Sequence, residues 1–181
     1  MRALAAAAFV VLAGCATLPP PAAPLAGDAF EVTGRFAARQ GTEGGSGRIQ
    51  WRHTETDDDL VVSNPVGQGI ARITRRDGVY TLETADGRRF TSTDADALAA
   101  QAFGWPLPVS GLPDWLRGRP VPGKPAKVER GASGEPRLLV QDGWQVEYLA
   151  FEEGGSLPTR LKVSRGDLDL RFGIESWTTP R

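Results

Sequence analysis

The sequence predicts a mainly β protein with a small helical insertion: a curved, mostly antiparallel sheet of about nine to eleven short strands. Three observations carry this reading. Apolar and polar residues alternate with a period of two in successive short segments from Phe30 to the carboxyl terminus. Turn residues rich in Asp and Gly separate those segments. Helical start and stop signals occur in only two stretches, around Asp94–Phe103 and Pro113–Gly118.

In the first segment Phe30, Val32, Phe36 and Ala38 share one face, with Glu31, Thr33, Arg35 and Arg39 on the other. Ile49, Trp51 and His53 repeat the pattern, followed by segments at Asp59–Ser63 and Ile70–Arg75, then Tyr80 and Leu82. The clearest case is Leu168, Leu170, Phe172 and Ile174 against Asp169, Arg171, Gly173 and Glu175. Such alternation marks strands with one face buried. Asp77-Gly78, Asp86-Gly87, Asp142-Gly143 and Arg165-Gly166-Asp167 sit where hairpins need positive φ, so the strands read as a meander. Thr93 or Asp94 can cap DADALAAQAF, and Pro113 opens PDWLR, which Gly118 ends. A sheet of this kind either closes into a barrel or stays open with helices over its apolar face.

Ahead of the strands, Met1-Arg2 precedes an apolar run from Ala3 to Leu12 and then Ala13-Gly14-Cys15, the layout of a bacterial export signal. The run is too short to cross a bilayer, which takes about 20 apolar residues. Leu12-Ala13-Gly14-Cys15 resembles the lipobox of bacterial lipoproteins, which makes Cys15 the lipid-bearing first residue of the mature chain. Residues 1–14 are then a removed signal peptide, residues 15–29 a lipidated spacer rich in Pro and Ala, and residues 30–181 a single domain. Cys15 is the only cysteine, so the core and not a disulfide must hold the fold. Residue 16 is Ala and not the aspartate that usually retains lipoproteins at the inner membrane, and by that resemblance the destination is the periplasmic face of the outer membrane.

Charge and chemistry exclude several functions. With 21 basic and 22 acidic residues in the chain, no basic excess points to nucleic acid. His53 is the only histidine and lies on an apolar strand face, where packing is the ordinary role; with a single cysteine elsewhere, transition-metal ligands are too few. Asp57-Asp58-Asp59 reads as a solvated hairpin turn. Gly41–Gly47 precedes a strand and lacks a phosphate-binding lysine. No catalytic site is expected.

Two stretches stand out. Asn64-Pro65-Val66-Gly67-Gln68-Gly69 joins two strands and holds one aliphatic residue, Val66, which is either tucked inward or exposed as a contact point for lipid or partner. Gly104–Gly118, GWPLPVSGLPDWLRG, carries two Trp and three Pro in fifteen residues and is too apolar for a free loop. It reads as a core plug under the sheet or a lid over an apolar pocket.

Four features in order resemble the LolB family, outer-membrane lipoproteins that receive other lipoproteins from the periplasmic carrier LolA and insert them into the membrane. They are the lipobox ending at Cys15; Gly34-Arg35-Phe36-Ala37 followed by Ile49-Gln50-Trp51; the loop Asn64-Pro65-Val66-Gly67; and GWPLPVSGLPDWLRG, the most specific. The resemblance implies an incomplete, open antiparallel β-barrel whose helices cover a hydrophobic cavity for acyl chains, with no catalysis and no cofactor. It also implies a protruding loop, here Pro65, Val66 and Gly67, whose aliphatic residue, commonly leucine in the family, helps release cargo into the membrane. Candidates for the cavity wall are Phe36, Ile49, Trp51, Leu82, Trp105, Trp115, Trp144 and Phe172. Expected partners are the carrier LolA, acylated lipoprotein cargo and outer-membrane lipid, with no nucleic acid and with the chain a monomer. One rival is a structural or assembly lipoprotein that binds another envelope protein, which predicts a filled core. The other is a hydrolase, which predicts a polar cleft with a nucleophile and a base in reach of each other.

Overall fold

Strand follows strand where the turn signals place the breaks. The computed structural model describes residues 24–180; the export segment, Cys15 and most of the spacer lie outside the described residues. The order is β1 (Phe30–Gln40), β2 (Glu43–His53), β3 (Asp58–Ser63), β4 (Gly69–Arg76), β5 (Val79–Thr84), β6 (Arg89–Ser92), α1 (Ala95–Phe103), α2 (Leu112–Trp115), β7 (Ala126–Arg130), β8 (Pro136–Gln141), β9 (Trp144–Phe151), β10 (Pro158–Arg165) and β11 (Leu168–Thr178). All eleven strands form one sheet, ordered β6-β5-β4-β3-β2-β1-β11-β10-β9-β8-β7. Each neighbouring pair is antiparallel. The edges β6 and β7 do not pair, so the barrel stays open, and the helical insertion follows the chain from one edge to the other.

Local chemistry sets the turns and the bend. Asp77 and Gly78 have φ of 51° and 76°, and Asp142 and Gly143 have 51° and 77°, the left-handed pair that matches strand twist in a two-residue hairpin. Between β1 and β11 the register slips so that Thr33 faces Ser176 and Gly34 faces Ile174, leaving Glu175 as an extra residue. A Cβ on Gly34 would lie 2.6 Å from the Gly173 carbonyl oxygen, so only glycine allows this approach. The extra Glu175 accepts from Arg35 Nε at 2.6 Å and Arg48 Nη2 at 2.7 Å.

Of the two caps the sequence offers, Thr93 and Asp94, Asp94 is the one used: its Oδ1 accepts from the N–H groups of Asp96 at 2.9 Å and Ala97 at 3.0 Å, and Gly104 ends α1 at φ 81°. α2 is the plug of one half of the sheet. Trp115 and Leu116 are buried against β8 and β9. The Trp115 indole N–H donates to Gln141 Oε1 at 3.0 Å, and the Trp115 carbonyl accepts from the Tyr148 hydroxyl at 2.9 Å. Gln141, itself buried, also accepts from the Val121 N–H and donates to the Val121 carbonyl, so the plug and the chain after it are stitched to the same strand. Burial pushes the Tyr148 hydroxyl pKa far upward and keeps it a neutral donor.

The run Asp57–Asp59 is not the solvated turn expected from the sequence. Asp58 and Asp59 begin β3, and Asp58 is 4% exposed. Three donors compensate its burial: Trp51 Nε1 at 2.9 Å and His53 Nδ1 at 2.6 Å on Oδ1, and Arg75 Nε at 2.5 Å on Oδ2. Burial alone would raise the carboxyl pKa, but the hydrogen bonds and charge from His53 and Arg75 outweigh it and hold the value below the ordinary 3.8. His53 in turn stacks on Phe30, ring centroids 5.0 Å apart.

Two outcomes follow from this packing. Trp115→Ala removes the plug and one of the hydrogen bonds to Gln141, so it should destabilise by about 3–5 kcal/mol and lower the melting temperature by roughly 10 °C; a loss of only a degree or two would mean α2 does not hold that half of the sheet. Asp58→Asn should cost about 3 kcal/mol at neutral pH, because it leaves Arg75 facing a buried uncharged group. The native carboxyl titrates below 3.8, so its contribution is present above that pH and is lost as pH falls through the native value. Melting curves should therefore show a deficit in the variant that is constant from pH 5 to 7 and narrows below about pH 4.

Candidate functional site

α1 packs its buried Ala95, Leu98 and Ala99 over β5 and β6, and the linker that follows it leaves part of the concave face unfilled. The result is an apolar cavity of about 230 Å³. Strands supply Phe36, Ile49, Val62, Ile73, Leu170 and Phe172; the insertion supplies Phe103, Trp105, Leu107, Val109 and Leu112 from above. Gly45 adds a wall position with no side chain, part of the glycine-rich run that opens β2.

Of the wall candidates named from the sequence, Phe36, Ile49, Trp105 and Phe172 meet at this cavity. Leu82, Trp115 and Trp144 do not: they are 0%, 2% and 3% exposed inside the packed core. α2 fills the β8–β9 region around Trp115 and Trp144, and Leu82 on β5 lies in the region that α1 covers; inward alternation alone does not tell a filled region from an empty one. Trp51 also misses the apolar cavity and lines a second hollow, with its indole N–H tied to Asp58. Sequence reasoning missed Phe103, Leu107 and Ile70. Ile70 is out of phase with Ala71 and Ile73 because the β3–β4 register slips there, Val62 facing Ala71 but Ser63 facing Gly69. An apolar residue directly after the loop glycine was the available signal.

Beside that slip lies the loop from Asn64 to Gln68. Its one aliphatic side chain points outward: Val66 is 82% exposed. The loop is braced from within. Asn64 Oδ1 accepts from the N–H groups of Val66 at 3.1 Å and Gln68 at 2.9 Å, and the Asn64 N–H donates to the Gln68 carbonyl at 2.8 Å. Gly67, at φ 91°, completes the bend behind Pro65. Val66 is therefore held at the tip, at the same end of β3 and β4 as Val62 and Ile70 of the cavity wall.

At the other end of these strands a hollow of about 460 Å³ is lined by charged and polar groups. It shares Leu60, Ile73 and Val109 with the apolar cavity, so the two lie back to back. His53, Asp58, Arg75 and Tyr80 come from the strands, and Asp114, Arg117 and Arg119 from the insertion. Arg117 lies over the Phe30 ring at 5.3 Å and donates to the Asp28 carbonyl at 2.6 Å; Arg119 donates to Asp114 at 2.7 Å and to the Asp28 carboxylate at 2.6 Å. The Arg119 hydrogen bond holds the Asp28 carboxyl below its ordinary pKa. Asp28 and the buried Ala29 thus already belong to the folded unit. Ser110 lines the same hollow, but its hydroxyl donates to Asp96 at 3.0 Å and its N–H to the same carboxylate at 2.8 Å, so it is not paired with His53 as a nucleophile would be with its base. Among the described residues no three or more His, Cys, Asp or Glu side chains gather as metal ligands.

Residues 28–177 match the family model described as outer membrane lipoprotein LolB. The chain is 39% identical over 184 aligned residues to the outer-membrane lipoprotein LolB of Azoarcus sp. strain BH72, covering 98% of this chain and 94% of that one. It is 40% identical over 184 to the outer-membrane lipoprotein LolB of Thiobacillus denitrificans, covering 98% of each. A LolA superfamily protein from Nitrosomonas europaea overlays on 85% of this chain and 87% of its own with a TM-score of 0.49 at 10% identity. An open β-barrel with a lined apolar cavity, a braced aliphatic loop and relatives this similar along nearly their whole length place the chain in the LolB family.

Proposed function

We propose that this chain is an outer-membrane lipoprotein receptor: it accepts lipoproteins from the periplasmic carrier LolA, holds their acyl chains in the apolar cavity and inserts them into the outer membrane. Its own anchor is the lipid on Cys15, and it acts as a monomer. The observation that carries the reading is the apolar cavity whose wall includes Val62 and Ile70, at the end of β3 and β4 where Val66 stands exposed. A structural lipoprotein with a filled core has no use for that space.

The energetics suit transient holding. Each buried methylene contributes about 0.8 kcal/mol, so a few enclosed methylenes already favour capture. A volume of about 230 Å³ lies under the roughly 300–1,000 Å³ of pockets that enclose drug-sized ligands, so part of a chain is gripped and the rest stays available for transfer. Val66 then touches the headgroup and acyl boundary, where a charged tip would resist contact.

Val66→Glu separates the steps. The substitution is on the surface, so stability should change by no more than about 0.5 kcal/mol, and acyl-chain binding should persist. In a two-step assay the variant should accept cargo from the carrier and fail to deliver it to liposomes. Delivery at the wild-type rate by a folded variant would leave Val66 without this role.

A further inference from the structure

Resting on the reading of the apolar cavity as the seat of the acyl chain, we infer that the unpaired edge of β2 beside it, residues 43–46, receives the main chain of the cargo's amino-terminal segment as a short added strand. Two independent features meet there. The first is the edge itself. β2 runs from Glu43 to His53, but β3 pairs with it only from Arg48 onward, opposite Ser63. Pro65 has no N–H to extend that ladder, and the Asn64 N–H turns away to the Gln68 carbonyl at 2.8 Å. Residues of an antiparallel strand turn their N–H and C=O alternately to either side, so from Glu43 to Ser46 every second residue faces β1 and the others point these groups outward. Among the described residues no loop backbone or side chain hydrogen-bonds to that stretch, and all four of its residues are exposed.

The second feature is the cavity, which is open to solvent on one side and has Gly45 and Ser46 in its wall. Gly45, Ser46 and Ile70 are the exposed members of that wall, whereas Ile49, Leu60, Ile73 and Leu112 are buried, so the open side lies at the β2 edge. A ligand whose acyl tail fills the cavity therefore leads its first residues past Glu43 to Ser46. The edge is also unguarded. Charged residues and proline normally blunt a free edge. β7 carries Lys127, Glu129 and Arg130, and β6 carries Arg89, but Gly44-Gly45-Ser46 presents bare backbone and one hydroxyl. This gives the glycine-rich run from Gly41 to Gly47 a use. Strand addition takes its affinity from the main chain and not from particular side chains. It suits a receptor whose cargo shares an acylated amino terminus and differs beyond it.

The test uses the full chain carrying Cys15→Ala and ligands of one acyl length: palmitamide, an N-palmitoyl pentapeptide of neutral residues, and the same peptide N-methylated at alternate residues in either of the two registers. The unmethylated peptide should bind about tenfold more tightly than palmitamide, the worth of two neutral hydrogen bonds after ordering costs. One methylated register should lose that gain and the other keep it, because only alternate N–H groups face β2. Amide hydrogen exchange within residues 43–46 should slow with the peptide and not with palmitamide. Equal binding of palmitamide and all the peptides, with exchange unchanged, would overturn strand addition and leave the acyl cavity standing. An equal loss in both methylated registers would overturn it as well, since crowding and not pairing would then be the cause. Failure of palmitamide and the peptides alike to bind would overturn the acyl-cavity reading itself, and the edge site with it.

Discussion

An open sheet of eleven strands turns inward more apolar surface than one short insertion covers, and the cavity follows from that mismatch. The insertion divides its bulk unevenly. Its second part places Trp115 and Leu116 over β8 and β9 and fixes them through Gln141 and Tyr148. Its first part, α1, covers β5 and β6, and the linker from Phe103 to Leu112 roofs the strands between without filling the space beneath. Packed interiors have few voids larger than a water molecule, so an unfilled apolar space of this size is a feature the sequence maintains.

The two ends of the concave face differ in chemistry, and that difference gives the molecule a direction. One end carries Val62, Ile70 and the braced loop with Val66 at its tip. The other carries the buried Asp58 network and the Arg117–Arg119 clasp on Asp28, where the described chain begins its fold. A rigid loop costs little entropy when its tip meets a surface, because Asn64 has already fixed it. A saturated ionic network at the far end keeps the strands in register without offering an unpaired charge to the cavity.

Much of this was legible in the sequence because strand alternation and turn chemistry are local. The inward face of β1 and β11, the Asp-Gly hairpins, the Asp94 cap and the Pro113 start of α2 all appear where their residue types require. What was not legible depends on pairing across the sheet. Period-two counting treats Trp144 and Phe172 alike, and only the position of α2 makes one core and the other wall. Three consecutive aspartates look like a turn until Arg75 and His53 are brought to Asp58 from neighbouring strands. Ile70 joins the cavity wall through a register slip that no single segment announces. Val66 stood undecided because Pro and Gly bend a chain equally well inward or outward; the Asn64 hydrogen bonds decide it.

Trp105 is the one indole on the wall of the apolar cavity, while Trp115 and Trp144 lie in the core and Trp51 in the polar hollow. That placement makes the central claim measurable by quenching tryptophan fluorescence with an acyl chain brominated near its end. Quenching should saturate with the ligand and should be largely lost in Trp105→Phe, while Trp144→Phe keeps it. Saturable quenching that survives Trp105→Phe, or no quenching by a ligand shown to bind, would contradict the assignment of this cavity as the acyl-chain site.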